Sequence, residues 1–455
     1  MQHVHRITRL SALALGITGA LAFGQVQASG FQLKENSVKS MGSAFAGSGV
    51  KTGDSSVVVN NPATMTQFEG TTVQADVTVI DLSYEFTGGG QDITGRPLTG
   101  GDGGNAGDVT PVPAMSVVHK FGNGIALGAM VSAPFGLKTE YDRDWVGRYY
   151  AATSDVKIVD FTTSIAIDVV PEHLSVGLGL IYSNADVTLS KAVDFGSALF
   201  LQTPAAGRGA LPAFARPQGS DGFAEVSGDD TGVGYILGVN FRPTDKLSLG
   251  LSYRSEIDYD LTGDVDWTVP TAARATFDGR GARALFQDGD VTAKLTTPSI
   301  TTVAANYEFT ERFSMGLTYS ETGWESLREV RIDFVNPDAD SVEDFSWSDT
   351  RFMSIGGEYK LNDAWTVRAG YAYDETPTTF ATRTPRLPDE DRKWYSLGAT
   401  WQLSEALGIN LAYTRIEPDT PQIGIITPAA QGGQRLFGQF EGGADLYGIS
   451  AQYKF

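Results

Sequence analysis

The feature that most constrains the fold is a repeated alternation of apolar residues with polar residues or glycine. Residues 247–254 read LSLGLSYR, residues 313–320 read FSMGLTYS, and residues 365–374 read WTVRAGYAYD. A period of two residues is typical of β-strands and not of helices. The second face of these segments is polar or glycine, and aromatic residues gather at their ends, which favours a membrane barrel over a soluble sandwich.

Short and long connections alternate along the chain. Turns such as 122–124 and 362–364 are short, whereas Gly-, Pro- and Asp-rich segments such as 87–109 and 418–438 are long. This asymmetry is typical of periplasmic turns and extracellular loops. The spacing predicts an all-β protein, a fourteen-stranded antiparallel transmembrane β-barrel. Its strands are expected near 71–86, 110–121, 124–134, 155–170, 173–191, 222–242, 246–267, 291–309, 312–333, 346–361, 364–375, 389–403, 407–417 and 439–455.

The first residues have the pattern of an export signal. Arg6 and Arg9 precede an apolar run, and Val26-Gln27-Ala28 is a small-x-small cleavage site. The run is too short for a membrane helix, which needs roughly 20 apolar residues. We therefore expect a signal peptide at 1–28 and a barrel in the outer membrane of a Gram-negative cell.

Charge and residue types argue against several functions. The net charge of −20 disfavours nucleic acid, whose phosphates require basic residues. The chain has no cysteine, no metal-spaced His pair and no Gly-x-Ser-x-Gly motif, so we expect no enzyme activity, no metal and no cofactor. A barrel lipase, the alternative, would need Ser, His and an amide side chain converging on the outer wall. The acidic loops are interpreted as solvated, with cation bridging to lipopolysaccharide as the alternative.

Residues 29–69 do not follow the barrel pattern. They contain many small residues together with apolar ones such as Phe31, Met41 and Phe45. A barrel of fourteen strands is too wide for its own side chains to fill. We therefore expect an N-terminal hatch at 29–69 that plugs a transmembrane barrel at 70–455, with a disordered tail as the alternative.

Several segments resemble one known family in their order and spacing. They are Ser29-Gly30-Phe31-Gln32-Leu33, Asn61-Pro62-Ala63, 132–137 (SAPFGL), 145–149 (WVGRY), 251–256 (LSYRSE) and 387–394 (LPDEDRKW). Together they resemble the long-chain fatty-acid outer-membrane transporter family (FadL), which includes toluene-transporter-like members. The likeness extends from the hatch to the late barrel.

The resemblance implies passive uptake of hydrophobic molecules, first of all long-chain fatty acids. In the family, cargo enters an extracellular groove, moves to a pocket inside the barrel and leaves sideways where the third strand kinks beside the hatch. Aromatic or alkane hydrocarbons are an alternative cargo, and a general solute porin is an alternative function. Asn184 lies at a position where fatty-acid members can carry a basic residue. Neutral hydrocarbons therefore remain an alternative cargo.

Two loops are candidates for the capture groove. Loop 192–221 is unusually apolar for an exposed segment, and exposed apolar patches usually bind something. We pair it with loop 135–154, and the alternative is a loop that only packs on its neighbours. The proposed groove residues are Phe135, Leu137, Trp145, Phe195, Leu199 and Phe200.

The lumen and the lateral gate also have candidate residues. Phe31, Arg254 and Arg368 are expected in the lumen pocket, where an arginine can hold a carboxylate. The alternative for Arg254 is an ion-pair lattice with acids on the same face, Glu256, Asp258 and Asp260. Pro134 and Gly136 are expected to interrupt strand three near its top, because proline cannot donate to a sheet. Asn61, Pro62 and Ala63 are the expected cover for that gap.

The remaining expectations concern partners. The terminal Phe455 closes an alternating segment and looks like the signal read by the barrel assembly machinery. We expect a monomer surrounded by outer-membrane lipids and lipopolysaccharide.

Overall fold

Antiparallel pairing of neighbouring strands runs around the whole wall in the computed structural model of the chain. The structure describes residues 30–51, 53–429 and 432–455. The expected signal peptide at 1–28 and the expected first mature residue, Ser29, lie outside the described residues. The first and last strands pair from Thr72 opposite Lys454 to Gln91 opposite Arg435, and this pairing closes the barrel.

The wall has fourteen strands, which confirms the predicted architecture. Five of them are interrupted and continue as a second segment. In chain order the strands are β1 (Thr71–Gln91), β2 (Val109–Lys120), β3 (Ile125–Glu140), β4 (Thr153–Val170), β5 (Leu174–Asp194), β6 (Asp221–Thr244), β7 (Leu247–Arg254 and Ile257–Thr268), β8 (Gly289–Thr297 and Ile300–Thr310), β9 (Phe313–Thr322 and Glu329–Phe334), β10 (Ser341–Asp344 and Thr350–Lys360), β11 (Trp365–Asp374), β12 (Arg392–Gln402), β13 (Leu407–Pro418 and Gln422–Ile426) and β14 (Arg435–Lys454).

The helices in the described part of the chain are short. Within the described ranges, no helix is long and apolar enough to cross a membrane. The α-helices are α1 (Val38–Met41), α2 (Val57–Asn60), α3 (Phe195–Leu201) and α4 (Thr271–Gly279), and 3-10 turns lie at Pro62–Gln67, Ala205–Ala210, Ala213–Ala215 and Trp324–Ser326.

The two faces of the wall follow the predicted alternation. Leu249 and Leu251 are exposed on the outside of β7, and Gly250 between them is buried. Aromatic rings pair across neighbouring strands at two heights. Trp365 stacks on Trp401 beside a short turn, with ring centroids 5.7 Å apart, and Tyr371 and Tyr395 lie 5.5 Å apart nearer the long loops. An outer apolar band between two aromatic rows is the surface that lipid requires.

Residues 30–69 lie inside the barrel as a hatch, and the inward glycines of the wall form its seat. A Cβ placed on Gly398 would lie 2.7 Å from the Cα of Gly42, and one on Gly316 would lie 2.6 Å from the carbonyl oxygen of Ala46. Such a close approach of two backbones requires glycine. The glycines on the second face of the alternation therefore let the hatch backbone contact the wall.

Polar anchors complement this seat. The buried carboxylate of Asp54 accepts hydrogen bonds from Ser40 Oγ at 2.6 Å within the hatch and from Gln74 Nε2 of β1 at 3.2 Å. Asp76, also on β1, accepts the N–H of Val38 at 2.9 Å. Because buried polar groups need partners, these contacts fix the hatch against one side of the wall.

Replacing Gly398 with Val should unseat the hatch. The added side chain would overlap the Gly42 backbone, and overpacking of this kind costs about 1–3 kcal/mol. We expect the variant to assemble but to conduct more ions than the native barrel in planar bilayers. Gly357→Ala is the matched control, because its Cβ would meet its nearest neighbour at an ordinary 3.4 Å. Native conductance in Gly398→Val would contradict this role of the glycine seat.

Candidate functional site

An apolar cavity lies inside the barrel near the long loops. It holds about 610 Å³ of empty space, partly open to solvent, and is lined almost entirely by hydrocarbon side chains. They come from the walls and from the second segments of the interrupted strands: Phe31, Leu137, Val156, Val187, Leu189, Leu261, Leu295, Leu327, Val330, Phe345, Trp347 and Leu387. Burying apolar surface here yields roughly 25 cal/mol per Å², so the cavity suits a hydrocarbon chain.

One end of this apolar cavity is charged. The buried Arg386 lines it, and its Nε lies 3.5 Å from a carboxylate oxygen of Glu343. The Arg386 Nη1 donates to the carbonyl of Thr153 and to Ser154 Oγ, both at 3.1 Å. Lys191 interacts electrostatically with both Glu343 and Arg386. This end of the cavity therefore carries the buried guanidinium of Arg386 beside one carboxylate, and the Arg386 Nε has no hydrogen-bond partner among the described residues.

An aromatic partition closes the apolar cavity on the side of the hatch. The ring of Phe31 lies 5.8 Å from that of Phe135 and 4.9 Å from that of Trp324, and Trp347 packs behind them. Gly30 precedes this ring with a φ of +62°, and a Cβ there would lie 2.8 Å from Trp324. Glycine is therefore required where the hatch begins its approach to β3.

A polar cavity lies on the other side of the partition. It holds about 820 Å³ of empty space, partly open to solvent, between the hatch and strands β3 and β6–β10. Pro134 and Ser132 of β3, Gln32 and Lys34 of the hatch, and Arg254 of β7 are among its lining residues. Phe31 and Gln32, neighbours in sequence, thus face different cavities.

The wall is unpaired between the loop-side halves of β2 and β3. The β2–β3 ladder ends at Met115 opposite Val131, whereas β2 stays paired with β1 up to Val109. The register of β3 on β4 shifts between Ser132 and Phe135, in the middle of β3 rather than near its top as expected. Above the gap, Lys138 Nζ lies 2.5 Å from Asp108 Oδ2. The gap is therefore bounded above and below.

The start of the hatch takes the place of β2 beside this gap. The N–H of Leu33 donates to the Pro134 carbonyl, and the N–H of Gly136 donates to the Phe31 carbonyl, both at 2.7 Å. Gln32 and Phe135 form the antiparallel bridge between these two bonds. The backbone groups that β2 leaves unpaired at the kink are satisfied by residues 31–33.

Asn61, Pro62 and Ala63 do not cover this gap, so the prediction that they do is wrong. Asn61 donates from Nδ2 to the Val239 carbonyl of β6, at 3.0 Å, and the Ala63 carbonyl accepts from Ser175 Oγ of β5, at 2.8 Å. Pro62 packs against Gly177 of β5. This tripeptide therefore seats the hatch on β5 and β6, because glycines there leave room for it, and lies away from the kink.

A sequence model of the family described as outer membrane protein transport protein (OMPP1/FadL/TodX) matches residues 19–455. The chain belongs to this family. It is an outer-membrane β-barrel that transports hydrophobic substrates, and the members of its family are transporters or channels rather than enzymes.

Named relatives of this FadL-family protein align with nearly its whole length. It is 25% identical over 457 residues to a long-chain fatty acid transport protein of Escherichia coli, covering 98% of this chain and 99% of that protein. It is 28% identical over 419 residues to outer membrane protein P1 of Haemophilus influenzae, covering 87% and 88% respectively.

Solved structures show the same fold. A Pseudomonas aeruginosa FadL homologue is similar with a TM-score of 0.86 and 27% identity, covering 94% of this chain and 100% of that one. The Pseudomonas putida toluene transporter TodX is similar with a TM-score of 0.63 and 16% identity, covering 89% and 95%, which shows a shared fold.

The predicted groove residues of this FadL-family barrel lie in three separate places, so the single groove expected from loops 135–154 and 192–221 is wrong. Phe135 and Leu137 belong to strand β3 and pack with Phe31 inside the barrel. Trp145 is fully buried and stacks on Tyr141, with ring centroids 4.1 Å apart. Its loop packs against the barrel mouth.

The third group of predicted groove residues lies on α3 and forms a cluster with the loop that follows β7. Phe195 and Leu199 of α3 are buried against Phe277 of α4 and against Phe286, whose ring centroid lies 5.0 Å from that of Phe195. Phe200, next to them on α3, stacks under the guanidinium of Arg208 at 4.7 Å. The apolar loop 192–221 therefore pairs with the loop that follows β7, which the sequence analysis did not select.

Loop 135–154 is fixed by polar contacts instead. Arg148 Nε lies 2.8 Å from Asp221 Oδ2, at the start of β6. Burial raises the pKa of the Tyr149 hydroxyl, which stays protonated and donates to Asp221 Oδ1 at 2.8 Å. These bonds fix the loop to the start of β6.

The two lumen arginines have different surroundings. Arg254 pairs with Asp160 of β4, at 2.6 Å, and lines the polar cavity. Glu256, Asp258 and Asp260 are exposed, so the predicted lattice with them is wrong. The break of β7 at Ser255 and Glu256 shifts the alternation by one residue, which turns those acids outward.

Arg368 lies away from both cavities. Its Nε is 2.6 Å from Glu358 Oε2 on β10, and its Nη1 donates to Thr400 Oγ1 at 2.7 Å. The hatch lysines Lys39 and Lys51 interact electrostatically with the same Glu358. Arg368 is therefore part of a charged contact between wall and hatch. Among the described residues, no group of three or more His, Asp and Glu side chains is placed to hold a metal.

Sequence reasoning missed Arg386, Trp324 and Trp347. Each lies in an irregular segment that folds back into the barrel, where no alternation marks an inward face. One signal was present for Arg386, since it directly precedes the LPDEDRKW segment that carries the family resemblance.

Proposed function

We propose that this protein takes up long-chain fatty acids by passive diffusion and releases them sideways through its wall. The observation that carries the choice of cargo is the buried guanidinium of Arg386 at one end of an otherwise apolar cavity, where its Nε has no hydrogen-bond partner among the described residues. A carboxylate accepts charge-assisted hydrogen bonds from arginine, and the chain fills the apolar part.

The alternatives match these features less well. An aromatic or alkane hydrocarbon would fit the apolar lining but would leave Arg386 buried beside a ligand that offers it no acceptor. A general solute porin needs an aqueous channel, and here the hatch occupies the lumen. The charged end therefore favours an anionic amphiphile.

Replacing Arg386 with Met tests the cargo. Hydrogen bonds to a charged group contribute about 1.5–3 kcal/mol, so we expect palmitate to bind about 10–100-fold more weakly to the purified barrel. Hexadecanol, which has the same chain without a charge, should bind as before. Lys393→Met, which removes an exposed cation paired with Asp419 outside the cavity, is the control. Equal losses for both ligands would refute carboxylate recognition and favour a neutral cargo.

The path begins outside the membrane. The α3–α4 cluster is buried around Phe195 and Phe277, and the rings of Phe200 and Phe214 at its edge are half-buried. Accessible apolar side chains at a loop surface are typical of binding sites. We propose it as the first contact for cargo, ahead of the apolar cavity.

The path ends at the gap between β2 and β3. Unpaired backbone is tolerated in lipid only where protein covers it, and residues 31–33 supply that cover. When these residues leave β3, the partition at Phe31 opens and the apolar cavity faces the bilayer. Cargo then enters the membrane without crossing water.

Two prolines of β2 keep the gap from closing. In an antiparallel strand, successive residues direct their backbone groups to opposite neighbours. The carbonyl of Asp108 accepts from Leu82 of β1, whereas the N–H of Phe121 donates to Ile125 of β3. Odd-numbered residues of β2 therefore face β3, and Pro111 and Pro113 are odd. The N–H donors that would extend the β2–β3 ladder are missing.

Changing both Pro111 and Pro113 to Val should narrow the gap. Two new N–H groups would need partners in lipid and would find them on β3, because an unmet donor there costs several kcal/mol. We expect palmitate uptake by cells to fall several-fold with normal amounts of folded barrel. Pro243→Val, at the short-turn end of β6, should have no effect. Unchanged uptake in the double variant would contradict exit at this gap.

We also propose three features of the assembled protein. Phe455 is exposed beside Tyr453, with ring centroids 4.7 Å apart, so the terminal aromatic is accessible to the barrel assembly machinery. The acidic loops would contact lipopolysaccharide through divalent cations. The closed wall supports a monomer.

A further inference from the structure

The guanidinium of Arg254 has hydrogen-bonding capacity that the protein does not use. Its Nη1 lies 2.6 Å from Oδ2 of the buried Asp160. Its Nε and Nη2 are buried and have no hydrogen-bond partner among the described residues, and the same holds for Oδ1 of Asp160. Buried donors are almost always paired, because an unmet one costs free energy.

The unused donors lie on one edge of the guanidinium. Nε and Nη2 are spaced to donate in parallel to the two oxygens of a carboxylate. Asp160 occupies the other side, where its carboxylate offsets the positive charge of the guanidinium. Arg254 therefore lines the cavity with a bidentate edge that no described residue uses.

Arg254 lies on the proposed path between the aromatic partition and the β3 kink. It lines the polar cavity together with Ser132 and Pro134 at the β3 kink, and its guanidinium carbon lies 5.6 Å from the centroid of the Phe135 ring. Phe135 is one of the rings of the aromatic partition. A molecule that passes the partition toward the kink thus meets Arg254 directly behind it.

We propose that Arg254 is a second anion site, which receives the carboxylate of a long-chain amphiphile after it leaves Arg386 and before the chain enters the bilayer. This inference rests on the proposed function and adds a step to it. The chain is apolar and can pass the aromatic rings, but the carboxylate needs a charged partner on both sides of them. Arg386 and Arg254 supply those partners on opposite sides of Phe31 and Phe135.

The test removes the Arg254 pair without leaving an uncompensated charge. In Arg254→Gln/Asp160→Asn we expect palmitate uptake by cells to fall about tenfold or more, because a charge-assisted bidentate contact is lost. Hexadecanol uptake should stay at the native rate, since an alcohol does not need the cation. Palmitate binding to the purified barrel should be retained, because Arg386 is unchanged.

The matched control is Arg415→Gln/Asp445→Asn. This ion pair joins two wall strands at 2.8 Å and lines neither cavity. We expect it to leave both uptake rates unchanged. A parallel loss of palmitate and hexadecanol uptake in the Arg254 variant would mean a structural ion pair and would overturn the proposal, as would no loss of either.

Failure of the proposed function would give a different result in the uptake measurement. In that case native cells would take up palmitate no faster than cells without the protein, whatever residue stands at 254. If native uptake is present but the palmitate rate is insensitive to Arg254, only the second anion site is refuted.

Discussion

In hydrocarbon, a backbone N–H or C=O without a partner costs several kcal/mol, and the rest of this structure depends on that constraint. Fourteen strands meet it around most of the wall by pairing with both neighbours. They do not meet it this way in the loop-side half of β2 and β3, where the wall ladder stops at Met115 and Val131. There the hatch donates and accepts the missing bonds through residues 31–33. The plug therefore also supplies part of a strand of the wall.

Residues 31–33 can pair with β3 in place of β2 because the rest of the hatch is fixed to the barrel. Glycines of the wall admit its backbone, and Asp54 and Asp76 anchor it to β1 and to its own serines. Residues 31–33 are attached differently, by two backbone hydrogen bonds to β3, one hydrogen bond from Thr322 Oγ1 to Gln32 Oε1, and the packing of one aromatic ring. Few bonds need to break for this short end to move, so a local change can open the wall while the plug stays seated.

The sequence was informative wherever a period of two residues persists. Alternation gave the strand number and correctly placed Leu249 outside and Gly250 inside, and the absence of alternation marked the hatch. Prediction failed where pairing is long-range or the period slips. Nothing local indicates that Phe31 pairs with β3, and the break after Arg254 turned Glu256 to the opposite face. Arg386 and Trp347 come from irregular segments, whose inward faces depend on tertiary packing.

A disulfide between hatch and wall tests most directly whether residues 31–33 must leave β3. Gln32 and Phe135 form a bridge whose hydrogen bonds lie on either side of it, so their Cα atoms are about 4.5 Å apart, within disulfide range. The chain contains no cysteine, so Gln32→Cys/Phe135→Cys introduces its only thiols. We expect oxidation to stop palmitate uptake and reduction to restore it, with no redox effect in either single variant. Equal uptake by the oxidised and reduced double variant would contradict exit past this segment.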